Sequence, residues 1–248
     1  MERVRDKKYW NYWQEIVNAS IARNTVELPT FLGLVDFEGK KVLDAGSGVG
    51  RVAFKINGFA ESITCIDSSD SALQTLSAEV EKQGLQNKIK FAKGDLRALP
   101  FEDCAFDIVY SLWTIHYLKQ DWQGILRELN RVCKKDGTVI VCFSTEKGSI
   151  PKMESFAKPK ELLLRKKFTQ GVLQFFKKLN KNSAVKKAVL PFYFKSADWA
   201  FEVFSETFLP KPLPAKAGEK CLAFLKKHSS KKGCFVDEEV AFVYSIKA

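Results

Sequence analysis

Three glycines at alternate positions, beginning two residues after an acid, mark the part of this sequence best suited to holding a ligand: Asp44-Ala45-Gly46-Ser47-Gly48-Val49-Gly50. The apolar pair Val42-Leu43 leads into it, and a helix-like segment leaves it at Arg51. Residues without side chains at a strand-to-helix turn let a ligand approach the backbone. The dinucleotide fingerprint Gly-x-Gly-x-x-Gly would need glycine at position 51, where Arg51 stands. A second acid, Asp67 with Ser68 beside it, closes the β-rich run Ser62–Asp67. An acid about 20 residues beyond a glycine loop can accept hydrogen bonds from ribose hydroxyls. Asp95, in Gly94-Asp95-Leu96, closes the following strand and can accept a hydrogen bond from an exocyclic amine. Each acid alone reads equally well as a helix cap or a turn residue.

His116 is one of 2 histidines in the chain and the candidate general base, with packing as the alternative role. The aromatics Tyr9, Tyr12 and Trp13 lie on an amphipathic N-terminal helix that either packs on the domain or closes over a ligand. Trp113 lines a pocket or the core. No set of Cys, His or acidic residues has the spacing of a metal site.

These residues need elements to hold them. From Lys41 the pattern alternates. Strands are expected at Lys41–Ala45, Ser62–Asp67, 88–93, Phe106–Leu112 and 138–143, with helices over 50–59, 71–83 and 121–133 between them. Strands separated by helices of this length imply a parallel sheet covered on both faces. Ligands bind at the carboxyl ends of such strands, and Gly46–Gly50, Asp67, Asp95 and Ser111 all fall at that edge. Beyond Ser144 the pattern predicts a helix over 159–189, with Leu164, Phe168, Val172, Phe175, Phe176 and Leu179 on its apolar face. It then predicts a sixth strand over 197–209, a helix over 215–228 and a seventh strand over 239–246.

Charge divides the chain. Residues 1–145 carry 19 Lys+Arg and 19 Asp+Glu, whereas residues 146–248 carry 21 and 10. Residues 147–195 alone hold 13 basic and 2 acidic side chains, so the excess charge has its own territory. The six scattered cysteines, none in Cys-x-x-Cys pairs, fit reduced, mostly buried thiols. No apolar run reaches the roughly 20 residues of a membrane span. The charged N-terminus has no apolar stretch behind it, so no secretory signal and a cytoplasmic location are expected.

The order VLDAGSGVGR, ITCIDSSDSAL, KGDLRALPF, FDIVYSLWTIHYL and ILRELNRVCKKDGTVIV resembles the class I S-adenosylmethionine-dependent methyltransferases, closest to their UbiE-like small-molecule branch. The resemblance covers about residues 40–145. It implies a Rossmann-like, doubly wound α/β sheet of seven strands, the seventh antiparallel, with a helical, basic cap inserted between the fifth and sixth. It implies one domain: a helical lid over 1–35, a cofactor-binding core over 40–145, the cap over 148–195, and 196–248 completing the core. By analogy Gly46, Ser47 and Gly48 approach the methionine part of the cofactor. Asp44 orients that loop or the amino group, and Asp67 and Ser68 serve the ribose. Asp95 and the Leu96 amide bind adenine, and Ser111 and Leu112 lie beneath the methionine moiety. The position after the fourth strand reads Ser111-Leu112-Trp113-Thr114, not Asn/Asp-Pro-Pro-Tyr/Phe, which argues against amino-group methylation of adenine or glutamine by that motif.

In this fold the added segments grip the substrate, so 148–195 is where specificity is expected. Its lysines are solvated groups on a cap, or they meet an anionic substrate or membrane surface, or they follow RNA phosphates. A small-molecule acceptor is the leading expectation. Methylation of RNA or protein, or a non-catalytic module that binds S-adenosylmethionine or S-adenosylhomocysteine, are the alternatives.

Overall fold

The computed structural model describes residues 11, 12, 15, 16, 19, 20, 23–118, 120–179 and 182–246. Tyr9 and Trp13 lie outside them. Eight strands form one sheet: β1 (Lys41–Ala45), β2 (Ser62–Asp67), β3 (Ile89–Lys93), β4 (Phe106–Leu112), β5 (Cys133–Ser144), β6 (Ser183–Phe194), β7 (Ser229–Ser230) and β8 (Gly233–Ile246). The order is β3-β2-β1-β4-β5-β8-β6, with β7 paired to β8. β1, β2, β3, β4 and β5 pair in parallel, and β8 runs antiparallel to β5. This is the expected Rossmann-like α/β class, with the two-residue β7 as an eighth strand.

The helices are α1 (Leu28–Leu32), α2 (Ala53–Ile56), α3 (Asp70–Lys82), α4 (Trp122–Val132), α5 (Ser149–Ala157), α6 (Glu161–Leu179), α7 (Ala197–Thr207) and α8 (Ala215–Lys227). Two compact units divide the chain. One holds Phe31–Phe143, Phe168–Lys186 and Ala241–Ala248. The other holds Met1–Thr30, Ser144–Lys167 and Lys187–Val240.

In the first unit α3 starts at Ser69, whose hydroxyl accepts from the Ala72 amide at 3.3 Å, and buries Leu73, Leu76 and Val80 at helical spacing. α4 buries Ile125, Leu126, Leu129 and Val132. They join Leu43, Val109, Val141 and Phe143 of the sheet and Val172 and Phe176 of α6 in one core. Each such side chain stabilises by about 1.5–3 kcal/mol. The core therefore holds β1 and β4 rigidly, and their carboxyl ends with them.

In the second unit α5 and α8 meet through Phe156 and Phe224, whose ring centroids are 5.8 Å apart. Cys221 donates to the Met153 carbonyl at 3.5 Å. Arg165 lies largely buried between two carboxylates, Glu154 at 2.5 Å and Glu161 at 3.1 Å.

Three expectations beyond Ser144 are corrected. Residues 197–209 are not a strand: Ser196 accepts from the Trp199 amide at 3.1 Å and starts helix α7. Its buried residues Ala197, Ala200, Val203, Phe204 and Thr207 recur with a helical period. The sixth strand is Ser183–Phe194, inside the stretch expected to be a helical cap. There Leu190, Phe192 and Phe194 are buried in alternation, and Pro191 is tolerated because β6 ends the sheet. Leu164 and Leu179, expected inward on α6, are 49% and 41% exposed. The inward position in the first turn belongs to the ion-paired Glu161 and Arg165, and Leu179 is the helix's last residue. Smaller shifts are a shorter α2, a longer β5, and a last strand that starts at Gly233 rather than 239.

Among the described residues no helix is long and apolar enough to cross a membrane. Cys104 is exposed, and the other five cysteines are buried, unbridged thiols.

Candidate active site

The carboxyl ends of β1, β2 and β4 share one edge because their register is parallel: Asp44 of β1 lies opposite Cys65 on one side and Tyr110 on the other. Asp44 is buried, and that burial pushes its pKa up to about 7. The Tyr110 hydroxyl and the positive charge of Arg51 pull it down in part, and the neighbouring Asp67 charge raises it. The Tyr110 hydroxyl faces Asp44 without a well-aligned hydrogen bond. Burial, with the Asp44 charge beside it, raises the Cys65 thiol, so Cys65 is neutral and unreactive.

The glycine loop follows. The amides of Gly46 and Ser47 donate to the Ile66 carbonyl at 2.8 and 3.1 Å, and Gly50 donates to the Ser47 carbonyl at 3.0 Å. All three glycines have positive φ: +79° at Gly46, +54° at Gly48 and +79° at Gly50. They differ in what surrounds them. A Cβ on Gly46 would lie 2.4 Å from Thr114 Oγ1, and one on Gly50 would lie 2.4 Å from Leu76 Cδ1. These two serve the protein's own packing. A Cβ on Gly48 would meet nothing within 4 Å, so here the bare backbone faces open space.

Asp67 organises the tip of that loop. Its Oδ2 accepts from the Gly48 amide at 2.8 Å, and its Oδ1 accepts from the Ser69 amide at 2.9 Å. Ser68 between them is exposed. At the end of β3, Asp95 is exposed and clasped by Arg97, whose Nη2 lies 2.6 Å from Oδ2 and whose Nε lies 3.0 Å from Oδ1. The Arg97 hydrogen bonds hold the Asp95 carboxyl below its usual range. Leu96 beside it is buried.

After β4, Ser111 is fully buried, and its hydroxyl has no hydrogen-bond partner among the described residues. Leu112 is also buried. Trp113 adopts φ +63°, a left-handed conformation that is costly for a bulky residue. Its amide donates to the Cys142 carbonyl at 2.9 Å. The chain then turns through Ile115–Tyr117, a single 3-10 turn, which stacks the His116 ring on Tyr117 at 4.1 Å and sets its edge against Trp113 at 6.1 Å.

Two residues that sequence reasoning did not single out belong to this edge. Thr114 donates to the Gly46 and Leu112 carbonyls at 3.3 and 3.2 Å, so its hydroxyl braces the glycine loop against the end of β4. Arg97 engages the carboxylate expected to read an amine. Neither has a spacing signal: Thr114 meets Gly46 only through the fold, 68 residues away in sequence, and the Arg97 contact is a local clasp two residues from Asp95 that no motif marks. Tyr12 belongs to the other unit. Its hydroxyl hydrogen-bonds to Glu202, which raises its pKa to about 12, and its ring lies 6.0 Å from Trp199.

The comparisons with known proteins agree with this architecture. A family described as "Methyltransferase domain" matches residues 43–141. The chain is 32% identical over 190 residues to ajmaline N-methyltransferase of Rauvolfia serpentina, covering 73% of this chain and 63% of that one. It is 35% identical over 120 residues to a sterol 24-C-methyltransferase of Aspergillus fumigatus, covering 48% of this chain and 31% of that one. The chain thus spans less than two thirds of the length of these relatives. The YcgJ protein of Bacillus subtilis has the same fold, with a TM-score of 0.63 at 19% identity, covering 89% of this chain and 97% of that one. With its glycine loop, strand-end acids and sheet order, the part of the chain that matches the methyltransferase domain, residues 43–141, is similar to the class I, S-adenosylmethionine-dependent methyltransferases.

Proposed function

We propose that this protein is an enzyme that transfers a methyl group from S-adenosylmethionine to a small organic acceptor. The observation that carries the reading is the open backbone at Gly48, tied by its own amide to the Asp67 carboxylate. A ligand can come against the backbone there, beside an acid that still has lone pairs to offer. The buried Asp44 carboxyl and the Ser111 hydroxyl, unpartnered among the described residues, add polar groups that suit a ligand with cationic and polar parts.

In this reading Asp67, with Ser68, takes the ribose hydroxyls. Asp95 and the Leu96 amide take the adenine. Gly46, Ser47 and Gly48 accommodate the methionine part, Asp44 faces its ammonium, and Ser111 and Leu112 lie beneath it. When bound, S-adenosylmethionine supplies a methyl group on a positively charged sulfur, which the acceptor displaces in line. The chain's own contribution is alignment, which can supply about 7–11 kcal/mol of the barrier in favourable cases. Where the acceptor must lose a proton, His116 is the proposed base.

Small acceptors are supported by the relatives, one named for a sterol and one for ajmaline. One is named as a C-methyltransferase and the other as an N-methyltransferase, so the related core serves more than one acceptor atom.

The test is transfer of labelled methyl from the cofactor to fractionated small molecules, RNA and protein of a cell extract. Label is expected in the small-molecule fraction. Label confined to RNA or protein overturns the acceptor class. Cofactor binding without transfer to any fraction overturns the enzyme and leaves a binding module.

A further inference from the structure

We propose that the solvent face of α6 is a docking surface for an anionic lipid bilayer. The helix is pinned by its inner side. Val172 and Phe176 are fully buried, and Phe168 and Phe175 pack on Trp122. In the first turn Glu161 points inward and pairs with Arg165, which also holds Glu154. Pairing removes the helix's one acid, and its one arginine, from the surface.

What is left outside has one character. Leu163 and Leu164 are 53% and 49% exposed on adjacent positions. Exposed lysines flank them at Lys160, Lys166 and Lys167. Exposed leucines beside lysines that make no ion pair among the described residues suit an interface where apolar side chains enter the acyl boundary and ammonium groups reach lipid phosphates.

RNA suits this surface less well. Phosphate recognition favours the arginine fork, and single-stranded bases favour exposed aromatic rings. Here the arginine is withdrawn, the phenylalanines of the helix face inward, and the exposed apolar groups are aliphatic.

The experiment is co-sedimentation of the full chain with phosphatidylcholine vesicles, with and without phosphatidylserine, at low and high salt. Binding should require phosphatidylserine and weaken as salt rises. Each lysine near an anionic surface contributes about fivefold to partitioning, so Lys166→Gln with Lys167→Gln should weaken binding about 25-fold. Leu163→Gln with Leu164→Gln should weaken it by about tenfold or more while leaving the lysines in place. All four side chains are exposed or flank the exposed face, so the variants should melt with the wild type.

Equal binding to neutral and anionic vesicles, or no binding to either, overturns the proposal. So does vesicle binding that neither variant weakens. Retention on single-stranded RNA that tolerates the leucine changes, with no vesicle binding, assigns the face to phosphate instead. Vesicle binding is read without cofactor, and cofactor titration of the same preparations reads the methyltransferase site separately. Failure of one reading is therefore distinguishable from failure of the other.

Discussion

The backbone amide of Gly48 donates to Oδ2 of Asp67 at 2.8 Å, so the tip of the glycine loop is tied to the end of the neighbouring strand. The loop's shape at this point depends on a carboxylate, because an N–H needs an acceptor and Asp67 also serves the Ser69 amide. A charge-assisted hydrogen bond contributes about 1.5–3 kcal/mol. Much of the loop's order therefore rests on one side chain.

Asp67→Ala should consequently weaken cofactor binding by at least tenfold, as calorimetric titration would show, while the core of the fold persists. Asp67→Asn is the sharper variant, since it keeps the shape but replaces one acceptor with an NH2 group. It should also lose affinity. Wild-type affinity in a folded Asp67→Ala protein would remove Asp67 from the cofactor site.

Asp44 predicts a pH dependence. Its pKa is raised to about 7 in the folded protein, from 3.8 in the unfolded chain, chiefly by burial. Between these values the folded state holds a proton that the unfolded state has lost, so ligand-free stability falls as pH rises from about 4 to about 7 and then levels. Asp44→Asn removes the buried charge and should stabilise the ligand-free protein at pH 8 by on the order of 2–4 kcal/mol, with little effect at pH 4. A cationic ligand prefers the ionised carboxyl, so wild-type cofactor affinity should rise from pH 5 to pH 8 and flatten above about 7. A flat wild-type affinity profile would separate Asp44 from the ligand's charge.

The first five strands were legible because their apolar residues recur in short runs, and the helix between β2 and β3 has a clear cap. Ser69 before α3 is such a cap. Beyond Ser144 the local signals compete. Residues 197–207 alternate aromatic and polar groups well enough to read as a strand, and only the Ser196 cap and the spacing of Ala200, Val203 and Thr207 reveal the helix. The lysines and valines of 183–189 continue the preceding helix in pattern, but pairing with β8 in the sheet overrides it. At the site, the positions of Asp67, Asp95 and Ser111 at strand ends were readable. Thr114 under Gly46 was not, because a tertiary contact creates it, and the local clasp of Arg97 on Asp95 has no pattern that distinguishes it from a solvated pair.

Arg131 fastens the segment after β3. Its guanidinium pairs with Glu128 at 2.8 Å and Asp103 at 2.9 Å, and donates to the carbonyls of Phe101 and Leu99 at 2.7 and 3.0 Å. Arg131→Ala leaves those carbonyls without their donor and the partly buried Glu128 with only the Leu99 amide. It should cost about 2–3 kcal/mol by denaturant unfolding. Arg131→Lys should recover only a part, since one ammonium cannot reach all four acceptors. Full recovery by lysine would reduce the role to charge alone.

His116 tests the chemistry apart from binding. Its ring packs on Tyr117 and Trp113, outside the glycine loop. For an acceptor that must lose a proton, His116→Gln should keep cofactor affinity and lower turnover by about 10²-fold or more. The loss should be smaller at high pH, where the acceptor ionises without help. Equal loss at every pH would assign His116 to packing, and unchanged turnover would remove it from the reaction.

The buried triad of Glu154, Arg165 and Glu161 sets the last prediction. Burial raises the Glu154 pKa even though Arg165 lies 2.5 Å away and opposes the shift. Removing the arginine leaves two buried carboxylates with no cation between them, which costs about 3–5 kcal/mol. Arg165→Met should therefore lower the melting temperature clearly at pH 8. At lower pH the Glu154 carboxyl can take up a proton and become a neutral acid. A group whose folded pKa lies above its unfolded value loses stability as pH rises, and the substitution enlarges that difference. The destabilisation should accordingly shrink from pH 8 toward pH 5 in thermal melts. A deficit independent of pH would mean that Arg165 acts through packing of its side chain rather than through its charge. Glu154→Gln combined with Arg165→Met should then fail to restore stability, whereas on the electrostatic reading it restores a large part.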